Sequence, residues 1–162
     1  MAVDSKIRRA APSEIGRLSE LAFRSKAYWG YSSAFMDACR EELSVTRSMV
    51  EDHRVYVCEL NGVLAGFYSL EDLSDNDIEL GHLFVDPKAM GIGVGSRLVE
   101  HACRTARDLG FSRLVIQGDP NAEGFYLRCG AVRIGEREST SISDRMLPLF
   151  EVELVEDRRG GP

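Results

Sequence analysis

Between positions 85 and 98 the chain reads VDPKAMGIGVGSRL, and no other segment limits its possible folds as much. The apolar, extended run Ile78 to Val85 is stopped by Asp86-Pro87, because proline has no amide for a sheet ladder. Glycines follow at 91, 93 and 95, and from Ser96 to Leu109 the apolar residues Leu98, Val99, Ala102, Cys103, Ala106 and Leu109 recur at helical spacing, with Gly110 as the stop. A glycine turn between a strand and a helix lets a ligand approach the backbone without interference from Cβ atoms. It does so where helix N–H groups are unpaired and the helix dipole is positive. Such a place attracts anions, phosphates above all.

Two common phosphate binders do not fit. A Walker A loop ends in Gly-Lys-Ser/Thr, whereas Ser96 follows Gly95 directly. A dinucleotide fingerprint requires G-x-G-x-x-G; counted from Gly91 its last position is Ser96, and counted from Gly93 it is Leu98. The preceding strand also follows a hairpin instead of opening a βαβ unit. Val55–Leu60 and Val63–Leu70 are rich in β-branched and aromatic residues, and Asn61-Gly62 between them suits a two-residue type I′ turn.

The remaining elements follow from periodicity. Lys6–Ala10 reads as a first strand. Pro12-Ser13-Glu14 starts a helix with Ile15, Leu18, Leu21 and Ala22 inward, and a second helix begins at Ser33 with Phe35, Met36, Cys39 and Leu43 inward. An aromatic break, Tyr28-Trp29-Gly30-Tyr31, separates them. Leu114–Gln117 is a short strand, the Asp119-Pro120-Asn121 corner opens a short helix closed by Gly130, and Met146–Leu154 alternates as a last strand.

A chain of 162 residues with 44% hydrophobic content fits one domain, residues 1–155, followed by a charged tail, 156–162, expected to be mobile. The formal net charge of -6 argues against a nucleic-acid partner and leaves a mild preference for cationic ones. Cys39, Cys58, Cys103 and Cys129 show no CxxC spacing and read as buried, reduced thiols. No stretch approaches the ~18 apolar residues of a membrane span, so no membrane partner and a cytoplasmic location are expected.

The glycine segment resembles the GNAT superfamily of acyl-CoA-dependent N-acyltransferases. There a strand running into V-x-P is followed by Gln/Arg-x-x-Gly-x-Gly/Ala, matched by Val85-Asp86-Pro87 and Met90-Gly91-Ile92-Gly93-Val94-Gly95, with Met90 in place of the usual Gln or Arg. A second signature, A-x-x-F-Y-x-x-x-G-F/A, is matched by Ala122-Glu123-Gly124-Phe125-Tyr126-Leu127-Arg128-Cys129-Gly130-Ala131. The resemblance implies an α/β (α+β) fold: a mixed, mostly antiparallel sheet of six to seven strands, splayed at its centre and flanked by about four helices. It implies acetyl-CoA as co-substrate, no metal, and acetyl transfer to the primary amine of a small molecule or peptide by direct attack in a ternary complex. A homodimer is also in keeping with it. The alternative is a non-catalytic acyl-CoA-binding or sensory module that has kept the fold.

Residue by residue, the resemblance assigns the coenzyme A diphosphate to Met90, Gly91, Ile92, Gly93, Val94, Gly95 and Ser96. It assigns the pantetheine arm to the backbone of Leu83, Phe84 and Val85, with Asn121 and Phe125 beside it. Tyr126 corresponds to the family's tyrosine near the CoA sulfur, a proton donor to the departing thiolate. Glu79, eleven positions before Met90, matches a base glutamate. An ammonium of pKa ~10.4 needs such a base at neutral pH, and His82, with an ordinary pKa of ~6.5, is the alternative. Regular strand alternation puts Glu79 and His82 on opposite faces. Tyr28, Trp29 and Tyr31 fall where the family builds its acceptor pocket. Cys103 and Cys129, on helices, read as packing residues and not as nucleophiles.

Overall fold

A computed structural model describes residues 4–154; the expected tail, 156–162, lies outside them. The elements are β1 (Ser5–Arg9), α1 (Ile15–Ala27), α2 (Ser33–Leu43), α3 (Arg47–Glu51), β2 (Val55–Leu60), β3 (Val63–Asp72), β4 (Asp77–Val85), α4 (Val94–Asp108), β5 (Arg113–Gln117), α5 (Glu123–Arg128), β6 (Val132–Glu138) and β7 (Met146–Glu153). The strands form one seven-stranded sheet in the order β1-β2-β3-β4-β5-β7-β6. Only the β4–β5 pair is parallel.

Local chemistry explains most boundaries. Asn61 and Gly62 both take positive φ (51° and 82°), as the type I′ turn between β2 and β3 requires. Ser32 Oγ accepts from the Phe35 N–H at the start of α2, and Thr46 Oγ1 accepts from Met49 N–H at the start of α3. The sheet carries an apolar layer on each face. Beneath α4, Leu98, Ala102 and Ala106 pack on Tyr68, Leu80, Leu114, Ile116 and Phe150. On the other face, Leu18, Leu21 and Ala22 of α1 with Met36, Cys39 and Leu43 of α2 cover Val55, Val57 and Phe67. Central strand β3 is therefore buried on both sides over Ala65–Leu70, which is why it reads as a continuous apolar run.

Several expectations change. Helix α4 begins at Val94, two residues before Ser96, because Gly93 already serves as its N-cap. Pro12–Glu14 forms a separate 3-10 turn before α1. The short helix α3 and the strand β6 carry no clear periodic signal; β6 is an edge strand whose VRIGERE sequence is almost wholly exposed. All four cysteines are free, with Cys39 and Cys58 buried but Cys103 and Cys129 only half-buried. No helix of the described residues is long and apolar enough to cross a membrane.

Candidate active site

The sheet splits where β4 and β5 part. Their ladder runs from Asp77–Arg113 to Leu80–Ile116 and then stops, so Gly81–Val85 have no β5 partner. The gap opens a cleft of about 1600 Å³ between the α4 loop and the α1–α2 side of the molecule.

One arm of the cleft is made of backbone. Gly91 and Gly93 have φ of 82° and 88°, in the left-handed region where side chains are strained, and space for an added Cβ is open at both. The α4 ladder opens with the Arg97 N–H donating to the Gly93 carbonyl, which leaves the N–H groups of Val94, Gly95 and Ser96 without helical acceptors. No acidic residue occupies the first turn of this 15-residue helix. These groups suit an anionic diphosphate. Gly95 has a different role, because a Cβ there would sit 3.1 Å from the Phe125 ring. Met90, Gly91, Gly93, Val94, Gly95 and Ser96 all line the cleft, whereas Ile92 is exposed and outside its lining. The Arg97 guanidinium lies on Ser5 Oγ and is not part of the cleft lining.

At the crossing of the strands stands Tyr126, 7% exposed, its ring against Phe125 and Phe150. Burial pushes its phenol well above the ordinary tyrosine value, so it stays protonated at neutral pH. The phenol makes no hydrogen bond to the protein among the described residues, and the residue lines the cleft. Gly118, at the end of β5, makes room for it: an added Cβ would lie 2.8 Å from the Tyr126 ring and 3.1 Å from Phe150.

The other arm is made of side chains. Regular alternation fails in β4, where Ser69 faces His82 but Leu70 faces Leu80, leaving Gly81 as a bulge. Ile78, Leu80, Leu83 and Val85 consequently all pack toward the α4 layer. His82 and Phe84 turn with Glu79 to the α1–α2 face, where both aromatic rings approach Phe67. The expectation that Glu79 and His82 point to opposite faces is thus corrected by one extra residue in the strand. Glu79 Oε1 accepts from Arg137 Nη2 at 2.7 Å, and Arg137 Nε donates to Gln117 Oε1 at 2.6 Å. His82 is 7% exposed; Nδ1 lies 2.7 Å from Ser69 Oγ and Nε2 has no hydrogen-bond partner. Burial lowers its pKa, and the nearby carbonyls of Leu43 and Glu42 only partly offset this, so the ring is neutral at pH 7.

Tyr31 stands behind the lining residues Lys26, Asp119 and Asn121. Its phenol donates to Asp119 Oδ2 at 2.7 Å and accepts from Arg145 Nη2 at 2.9 Å and from Asn121 Nδ2 at 3.0 Å. Its ring stacks on Phe35, and Lys26 joins Asp119 at 3.4 Å. Although burial pushes the Asp119 carboxyl up, the Asn121 N–H, the Tyr31 hydroxyl and the cations Lys26 and Arg145 outweigh it and hold the group below its ordinary value. Asp119 also caps the corner through the Asn121 N–H. Of the aromatic trio, Trp29 lines the cleft, Tyr28 is 60% exposed outside it, and Tyr31 is engaged in this network. Arg137, Arg145 and Gly118 gave no sequence signal, since only the fold brings β6, the β6–β7 connection and the end of β5 to the cleft.

This architecture recurs in known proteins. A GCN5-related N-acetyltransferase from Rhodopseudomonas palustris superposes with a TM-score of 0.77 at 18% identity, covering 95% of this chain and 99% of that one. The PaiA N-acetyltransferase of Thermoplasma acidophilum, solved with coenzyme A, gives 0.75 at 16% identity over 93% and 99% of the two chains. In sequence, the 5-NmdU N-acetyltransferase of Pseudomonas phage PaMx11 is 27% identical over 146 residues, 90% of this chain and 96% of that protein. The model of the acetyltransferase (GNAT) family matches residues 19–131, and the protein accordingly belongs to that family of acyl-CoA-dependent acetyltransferases.

Proposed function

We propose that the protein transfers an acetyl group from acetyl-CoA to a primary amine by direct attack within a ternary complex. The observation that carries this reading is the cleft itself, in which three free helix amides, the Tyr126 phenol and the Glu79 carboxylate all border one space. Acetyl-CoA supplies the thioester. Its diphosphate fits the amides of Val94, Gly95 and Ser96 with the Gly91–Gly93 turn, a cradle that works without a side chain from Met90. Leu83, Phe84 and Val85 offer the pantetheine a strand edge, flanked by Asn121 and Phe125. Trp29 borders the acceptor space directly, with Tyr28 and Tyr31 shaping the segment around it.

In the transfer, the amine lone pair forms the N–C bond at the thioester carbonyl and the C–S pair departs on sulfur. Arg137 engages Glu79 Oε1, leaving Oε2 to take the amine's proton. The Tyr126 phenol returns a proton to the thiolate; burial that raises the phenol's pKa raises the thiolate's proton affinity as well.

The test is a thiol-release screen of amines with acetyl-CoA. Tyr126→Phe and Glu79→Gln should each lower kcat about 10²-fold or more while coenzyme A binding, measured by calorimetry, is kept. Wild-type rates in both variants would remove these two residues from the mechanism. Coenzyme A binding with no thiol release from any amine would favour the non-catalytic acyl-CoA-binding module.

A further inference from the structure

Glu79 is held by a cation from the far edge of the sheet. In the order β4-β5-β7-β6, two strands separate Glu79 on β4 from Arg137 on β6. Their contact sits at the vertex of the split, since the β4–β5 ladder ends at Leu80–Ile116 and Gln117 is the next residue of β5. Arg137 Nε donates to Gln117 Oε1 at 2.6 Å, and Nη2 donates to Glu79 Oε1 at 2.7 Å. Because the guanidinium is planar, the bond at Nε fixes the direction in which Nη2 can donate. Gln117 therefore sets the plane of Arg137, and Arg137 sets the orientation of the Glu79 carboxylate.

Two observations separate this chain of bonds from ordinary surface pairing. The Glu79 side chain is only 16% exposed, and Arg137 is the one residue of β6 that is not classed with the exposed ones. The strand itself does not need the pair, because its ladder to β7 runs from Val132–Glu151 to Glu138–Met146. Glu79, Gln117 and Arg137 all line the cleft.

Resting on Glu79 as the base in the reading above, we infer that Arg137 and Gln117 are positioning residues for the proton transfer. They hold the Glu79 carboxylate in one orientation through Oε1, so that Oε2, which accepts no hydrogen bond among the described residues, stays free for the amine's proton. The proton passes from the amine nitrogen to Oε2, and Arg137 keeps its own.

Thiol release from acetyl-CoA by the full chain is measured at pH 8 with n-alkylamines of two to six carbons, each paired with its analogue carrying two fluorines on C2. An alkylamine of pKa ~10.4 is under about 1% free base at that pH and needs its proton taken, whereas the electron-withdrawing fluorines leave the analogue largely free. Arg137→Ala should lower kcat about tenfold or more for the alkylamine and about threefold or less for its fluorinated partner. KM for acetyl-CoA should hold, which also reports that the variant is folded. Gln117→Leu, which leaves both charges in place, should show the same selective loss at about three- to fivefold. Adding Arg137→Ala to Glu79→Gln should cost nothing further, because no base is left to position. Equal losses on both amines of a pair, a further loss in the double variant, or wild-type kcat in Arg137→Ala or Gln117→Leu would each overturn the inference while leaving acetyl transfer standing. Wild-type kcat in Glu79→Gln would overturn the base assignment and this inference together, as would failure of every amine with acetyl-CoA bound.

Discussion

The two arms of the cleft use different parts of the polypeptide. The arm at α4 presents main-chain amides and open space, with glycine at the two positions of positive φ and no titratable side chain between Met90 and Ser96. The arm facing α1 and α2 presents charged and aromatic side chains brought from α1, α2, β3, β4, β6 and the β6–β7 connection. Backbone recognition suits a ligand part that never varies, since an amide cradle reads only negative charge and shape. Side-chain recognition can be altered one residue at a time without touching the other arm. This separation lets one scaffold keep its acyl donor while its acceptor differs.

The comparison breaks most readily at Gly93. A valine Cβ there meets nothing within 4 Å, but the residue must adopt φ near 88°, which costs about 1–2 kcal/mol in the left-handed region. The loop can relieve that strain only by withdrawing the amides, so Gly93→Val should weaken coenzyme A binding about tenfold or more. Met90→Ala, which leaves the backbone alone, should change it little. Calorimetric titration with coenzyme A checks both; a large loss at Met90 would mean that this arm depends on side chains after all.

The same contrast governs what could be read from the sequence. Val85-Asp86-Pro87 and the spaced glycines announce the α4 arm because backbone geometry demands particular residue types at neighbouring positions. The type I′ turn at Asn61-Gly62 and the helical face of α4 are local in the same sense. The arm facing α1 and α2 is not local. Arg137 meets Glu79 across 58 positions and Arg145 meets Tyr31 across 114, and no short-range pattern encodes such pairs. The Gly81 bulge shows the limit most clearly: one inserted residue turns His82 to the Glu79 face, although the sequence around it alternates normally. Strand β6, exposed and charged, lacked the apolar alternation that identifies a buried strand.

A smaller effect is expected at Tyr31. Removing its hydroxyl with Tyr31→Phe takes one donor from Asp119 and one acceptor from both Arg145 and Asn121, leaving a half-buried carboxylate less well satisfied. Losses of this kind cost about 1–3 kcal/mol of stability. Urea denaturation would register that cost, and KM for the amine should rise more than KM for acetyl-CoA, because the α1–α2 connection loses one tie to the β5–α5 corner and only the Lys26–Asp119 pair remains. Equal rises would show that the network serves both arms alike.

The smallest effect concerns acid. His82 is neutral in the folded protein because burial depresses its pKa, whereas the unfolded chain binds a proton near the ordinary ~6.5. Above that value both states are neutral and the group's contribution is fully present. As the pH falls through it toward the folded value, the unfolded state alone gains the proton and stability declines, by up to about 1.4 kcal/mol per pH unit for one such group. His101, likewise depressed by burial, adds a slope of the same sign, while the paired carboxylates Glu14 and Asp119 act only in more acidic solution. Urea midpoints at pH 7.5, 6.5 and 5.5 should therefore fall less steeply in His82→Gln than in the parent, and the slope is the readout because the substitution also shifts the intercept through Ser69. Identical slopes would mean that this arm does not hold its imidazole neutral. A shallower slope would locate part of the protein's acid sensitivity in the arm built from side chains.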